Sequence, residues 1–188
     1  MKKTIVKKAA AGALAGVLLM ASPLLGAPEK FRARLLSQGG PVSTRAMNFE
    51  ILVESYTGIE EVSLLAKTLS ESGYDPFMNA FIAMNKGSFR PIGGRGLKIA
   101  IHAAHSIPTA KGRQILLFTQ RQHWDPETTQ SVDRRFPFMV IELNLNKKGN
   151  GEGKIYEQAN VRLSSEAGVE MEAYNSVPLM LWGVRTVK

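Results

Sequence analysis

The sequence predicts an α+β fold: an antiparallel β-meander of about eight strands, curled into a sandwich or partial barrel, with an inserted pair of helices. Three observations predict it. Apolar residues alternate with polar ones along most of the chain after residue 30, the period of half-buried strands. Only one block, Thr57–Gly87, switches to helical spacing. No helical block separates the later strands, so parallel crossovers have no connection to run through.

The elements follow in order. Phe31, Ala33 and Leu35 alternate with Arg32 and Arg34, and Gly39-Gly40-Pro41 turns the chain. Phe49, Ile51 and Val53 then alternate with Glu50 and Glu54. Thr57-Gly58-Ile59-Glu60 has the form of a capping box, and Ile59, Val62, Leu65, Ala66 and Leu69 give the first helix an apolar stripe ending at Gly73. Asp75-Pro76 suits the start of a second helix, with Asp75 as cap, stripe residues Phe77, Ala80, Phe81 and Met84, and Gly87 as its end.

The period of two returns with Leu97, Ile99, Ile101 and Ala103. Ile115–Phe118 is apolar on both faces and reads as a central strand. Met139, Ile141, Leu143 and Leu145 form the next strand, and Asn146–Gly153 is a glycine-rich turn. Ile155, Ala159, Val161 and Leu163, then Val169, Met171 and Ala173, flank a short hairpin near Glu166-Ala167-Gly168. Pro178–Val187 is the last strand.

The amino terminus reads as an address. Lys2, Lys3, Lys7 and Lys8 precede Ala9–Ala21, an unbroken small and apolar run, which is the pattern of a secretory signal peptide. Leu25-Gly26-Ala27 offers a cleavage site, although Pro28 follows it; cutting after Ala21 is the alternative. The uncharged run Ala9–Ala27 also has the length of a membrane span, so a retained anchor is the third. The expected organisation is residues 1–27 as signal peptide and 28–188 as a single α+β domain. The expected location is periplasmic or extracellular.

Composition narrows the chemistry. The chain has 188 residues and no cysteine, which excludes disulfides, thiolate metal sites and a cysteine nucleophile. It carries 24 Lys and Arg against 16 Asp and Glu; without the four leader lysines 20 remain, a net charge of +4. Such a balance is far from a nucleic-acid-binding composition, and no nucleic-acid partner is expected. An envelope protein or a small ligand is the expected partner, and contact with membrane is expected only through an uncleaved leader.

The most chemically mixed stretch is Gln120-Arg121-Gln122-His123-Trp124-Asp125-Pro126, inside a long connection from Gln120 to Arg135. Connections of that length inside a compact domain often bind ligands. Arg121, His123, Trp124 and Asp125 are therefore the candidate ligand-binding residues. His102, His105 and His123 are the metal candidates, although His102 and His105 would point to opposite faces of one strand and could share an ion only if a bulge or bend turned one of them. Gly93-Gly94-Arg95-Gly96 precedes a strand rather than a helix and so lacks the geometry of a phosphate cradle. No Gly-x-Ser-x-Gly is present. No cofactor is expected. The reading is a non-catalytic binding or interaction protein, with a hydrolase or metal-dependent enzyme centred on the 120–135 loop as alternative.

Ser55-Tyr56-Thr57 with Glu60-Glu61, Met84 to Gly87, and Leu117-Phe118-Thr119-Gln120-Arg121 carry a resemblance. So do Ile141-Glu142-Leu143, Gly149-Asn150-Gly151-Glu152-Gly153 and Glu170 to Tyr174. Over about Phe31 to Val187, the chain resembles an uncharacterised family of predicted secreted bacterial proteins. The resemblance implies an exported location and no particular activity.

Overall fold

A computed structural model describes residues 27–39, 43–93, 98–121, 137–164, 168–173 and 177–187. Ten strands and two helices follow one another as β1 (Glu29–Gly39), β2 (Ser43–Val53), α1 (Ile59–Ser72), α2 (Tyr74–Ala83), β3 (Gly87–Pro91), β4 (Ile99–Ile101) and β5 (Ala103–Thr109). The remaining strands are β6 (Gly112–Gln120), β7 (Phe138–Asn146), β8 (Asn150–Ser164), β9 (Gly168–Ala173) and β10 (Leu179–Val187). Every pairing is antiparallel, as expected. The sheet holds nine strands on one path, β4-β3-β2-β1-β10-β8-β7-β6-β5, with β9 beside β8, rather than the eight expected.

The two ends of that path, β4 and β5, are halves of one run of chain, and the sheet therefore curls into a nearly closed barrel. His102 lies between them: its amide donates to Phe118 O at 2.9 Å while Ala103 also opposes Phe118, so two residues face one. This bulge bends the run and lets it pair with β3 on one side and β6 on the other. Where β5 diverges from β3, Thr57 covers the exposed edge. Its amide donates to Ala104 O at 2.8 Å and its hydroxyl accepts from Ala104 N at 2.9 Å.

Alternation fills the bore. Phe31, Ile51, Phe89, Ile101, Ile115, Leu117, Ile141, Leu143 and Leu181 have no exposed surface, and they belong to one continuous cluster. A barrel of this size is just wide enough for such side chains to pack its interior. β10 keeps both Leu181 and Val184 inside despite their odd separation, because Gly183, at φ 58°, is an extra residue there and the register shifts across it.

A second apolar layer lies outside the barrel. Val140, Phe138, Tyr156 and Ala159 face outward from β7 and β8, and Phe81 of α2 packs on them, flanked by Phe77, Met78 and Leu65. The expected apolar stripe of α1 is only partly covered: no α1 residue is buried, Leu65 packs on the outer layer, and Ile59, Val62 and Leu69 are 81%, 37% and 42% exposed. Among the described residues no helix is long and apolar enough to cross a membrane.

Several local expectations need correction. The helix cap is Gly58, not Thr57, whose hydroxyl is taken by Ala104; Glu61, not Glu60, accepts from the Gly58 amide at 2.8 Å. Gly73, not Asp75, precedes α2, which ends at Ala83, while Gly87 begins β3. The turn after β7 spans only Asn146–Asn150, with Asn146 Oδ1 accepting from Lys148 N and Asn150 N at 2.9 and 3.2 Å. Gly151 and Gly153 are strand residues, Gly153 facing Leu143 and Leu181 in the bore.

Candidate functional site

Strand direction gives the barrel two distinct mouths. Glu29, Val53, Gly112, Asn146, Asn150 and Val187 mark the first; Gln120 and Phe138, which bracket the long connection, mark the second.

At the first mouth a polar assembly closes the apolar bore. Glu29 shares the inward parity of Phe31 and Ala33, and Arg113 that of Ile115 and Leu117. β1 and β6 stand on opposite sides of the ring, with three strands between them either way when β4 and β5 are taken as one run. Arg113 therefore reaches across the opening. Its Nη1 donates to Glu29 Oε1 at 2.9 Å, its Nη2 donates to Glu29 Oε2, and its guanidinium lies 5.9 Å from the Phe31 ring centre. The Tyr56 hydroxyl donates to Glu29 Oε1 at 3.0 Å and accepts a long bond from Arg113 Nη1 at 3.5 Å. The Arg113 hydrogen bond holds the Glu29 carboxyl below its usual range, against the opposing effect of burial. Burial, reinforced by the Glu29 charge, pushes the Tyr56 phenol up.

Since the folded pKa of Glu29 lies below the unfolded one, the pair stabilises the fold fully above the ordinary carboxylate range and less as pH falls through the folded value. Both side chains are partly exposed, 26% and 32%, so we expect Arg113→Ala to lose only about 1–2 kcal/mol at pH 7. Urea unfolding of wild type and Glu29→Gln between pH 7 and 3 checks it. The wild-type midpoint should fall more steeply below about pH 4.5 than that of the variant; parallel curves would refute the assignment.

Other polar groups are tied to structure. Lys86, 9% exposed, donates from Nζ to Glu61 Oε1 at 2.6 Å and links the start of α1 to β3. On the outer wall Glu142 accepts from Gln114 Nε2, Asn144 Nδ2 and the Tyr156 hydroxyl at 2.9, 2.6 and 3.1 Å. Burial, with the Glu142 charge, pushes Tyr156 up to about 12. Glu50 on β2 is bound by Arg90 Nη2 at 2.5 Å, with Lys30 Nζ at 3.9 Å. The Arg90 hydrogen bond, despite burial, holds its carboxyl low. The shifted carboxylates thus stay charged and the shifted phenols stay neutral near pH 7, away from the poised range that proton transfer uses.

Of the candidate ligand-binding residues, Arg121 is placed just beyond β6. Its amide donates to Pro137 O at 2.9 Å, pinning together the two ends of the 122–136 segment, and its Nη1 is buried without a hydrogen-bond partner among the described residues. His123, Trp124 and Asp125 lie outside the described residues. His102 and His105 do not point to opposite faces, because the bulge at His102 reverses the alternation. His102 is 7% exposed under α2, with its ring 5.2 Å from that of Phe81 and its Nδ1 2.9 Å from Met84 O. His105 is exposed and pairs with Leu116. No group of three or more metal-ligating side chains occurs among the described residues.

Sequence reasoning missed the Glu29–Tyr56–Arg113 assembly. The inward parity of Glu29 and Arg113 on otherwise apolar strand faces was the available signal. Comparison of the chain with protein-family models, with curated proteins and with solved structures finds no match.

Proposed function

We propose that this is an exported, non-catalytic interaction protein that meets its partner through its outer surface and its second mouth. The observation that carries the reading is the bore. It is packed with hydrocarbon and capped by an internally paired Glu29–Arg113–Tyr56 assembly, which leaves the wall and the connections as the surfaces open to a partner. The basic leader followed by Ala9–Ala27, and the resemblance to predicted secreted proteins, support export to the periplasm or medium. Arg121, with a buried nitrogen that has no hydrogen-bond partner among the described residues at the base of the 120–135 connection, supports a ligand-gripping role for that segment with His123, Trp124 and Asp125.

Expression of the full chain in a bacterium, fractionation, and intact mass measurement test the export. The expected species lies outside the cytoplasm and lacks residues 1–27 or 1–21. The uncleaved chain in the cytosol would overturn the reading. A thermal-shift screen of the recovered protein against metals, sugars, nucleotides and lipids tests the connection. A stabilising hit lost in His123→Ala supports it, whereas turnover lost in that variant would replace it by the hydrolase or metal-dependent alternative.

A further inference from the structure

The outer wall formed by β3, β2, β1 and β10 carries an unbalanced charge. Lys30, Arg32 and Arg34 project outward from β1, Arg90 from β3 and Arg185 from β10, while Glu50 is the one carboxylate among them. Glu50, directly opposite Arg32 on β2, is bound by Arg90 and Lys30. Arg32 and Arg185 are direct cross-strand partners, a like-charge pairing that disfavours the sheet, and both are exposed. Next along the same ladder Arg34 faces Trp182, which is 42% exposed. The wall thus runs from a field of cations to an uncovered indole.

We propose that this wall docks the protein onto an anionic phospholipid surface, with Arg32, Arg34 and Arg185 at the headgroups and Trp182 at the interface. An indole beside cations is the composition that the headgroup layer favours, its ring meeting the apolar boundary and its N–H the polar side. The wall of a barrel is convex, which suits a broad charged plane better than a single polymer chain that would need a channel. Each cation near an anionic leaflet strengthens binding about fivefold. The inference deepens the proposed outer-surface function by naming its partner. It uses purified protein, so its failure is separate from a failure of export.

Vesicles of phosphatidylcholine alone and of phosphatidylcholine with phosphatidylglycerol test it by co-sedimentation, using wild type and Arg32→Gln/Arg34→Gln/Arg185→Gln with identical amino termini. Any anchoring by residues 9–27 is then common to both. The expected results are selective binding to the anionic vesicles, weakened by salt, and a loss on the order of 100-fold in the triple variant. Lys147→Gln/Lys148→Gln, in the turn at the first mouth, should bind as wild type, and matching thermal melts exclude unfolding. In a Trp124→Phe background Trp182 emission should shift to the blue on anionic vesicles. Binding indifferent to lipid charge, an unshifted Trp182, or a triple variant that binds as wild type would each overturn the proposal. So would tighter binding of single-stranded DNA than of vesicles.

Discussion

Phe81→Ala is expected to destabilise the protein by about 3–5 kcal/mol and to release the helical pair from the barrel. Phe81 is the one buried residue of α2, at 3% exposure, and α1 has none. Its ring meets Phe138 edge-on at 5.1 Å, Phe77 at 6.3 Å and the His102 imidazole at 5.2 Å. Truncation removes all of these contacts and leaves a cavity over Val140 and Ala159, with His102 retaining its Met84 contact but losing its apolar cover. Chemical denaturation followed by circular dichroism gives the loss. Hydrogen exchange locates it: amides of 59–83 should open at lower free energy than those of β6 and β7. A loss under about 1 kcal/mol, or uniform loosening, would mean that the helices are held mainly through Lys86 and Glu61.

The contrast between barrel and helices shows what the sequence made legible. Phe31-Ala33-Leu35, Phe49-Ile51-Val53 and Ile141-Leu143-Leu145 declare their strands because each inward residue meets the same hydrocarbon interior. The central place of Ile115–Phe118 was equally readable, since Leu117 faces the bore while Phe118 faces the α2 side. The stripe on α1 was just as regular, yet Ile59, Val62 and Leu69 are exposed. Periodicity reports that a helix has an apolar face, and the partner for that face has to come from elsewhere in the fold.

Parity-reversing residues were not legible. At His102 two residues oppose Phe118, and at Gly183 one extra residue separates Leu181 from Val184; each inverts an alternation that a straight strand would keep. Closure escaped for the same reason, since the run 99–109 pairs with β3 and β6 only because it bends at His102. Thr57 shows local and long-range partners competing. The capping-box spacing offered its hydroxyl a bond three residues away, and the Ala104 amide, 47 residues away, took it. Glu29 and Arg113 are 84 residues apart and meet only when the ring is complete. For the candidate connection, Arg121 is placed, while His123, Trp124 and Asp125 fall outside the described residues.

Gly87→Ala is expected to lose about 2–5 kcal/mol, and it separates steric exclusion from dihedral strain. A Cβ at Gly87 would lie 1.9 Å from Leu52 O and 2.9 Å from Leu52 C, and the residue sits at φ 144°. Backbone atoms of a paired strand cannot move aside as a flexible side chain can, so β3 itself has to shift. β3 is five residues long and bridges Val53 of β2 to Ile101 of β4 through this residue. Lys86 next to it donates its amide to Ile101 O at 2.7 Å and accepts from Glu54 N at 2.8 Å. A displaced β3 therefore weakens the ring at one of its short strands and the Lys86–Glu61 tie to α1 together. Gly183→Ala supplies the comparison. Its φ is 58° with nothing within 4 Å of an added Cβ, so it should lose only about 1 kcal/mol of dihedral strain. Unfolding midpoints of the two variants, measured side by side, decide the matter: equal losses would mean that the close approach of β2 to β3 is readily relieved, and that the ring does not depend on it.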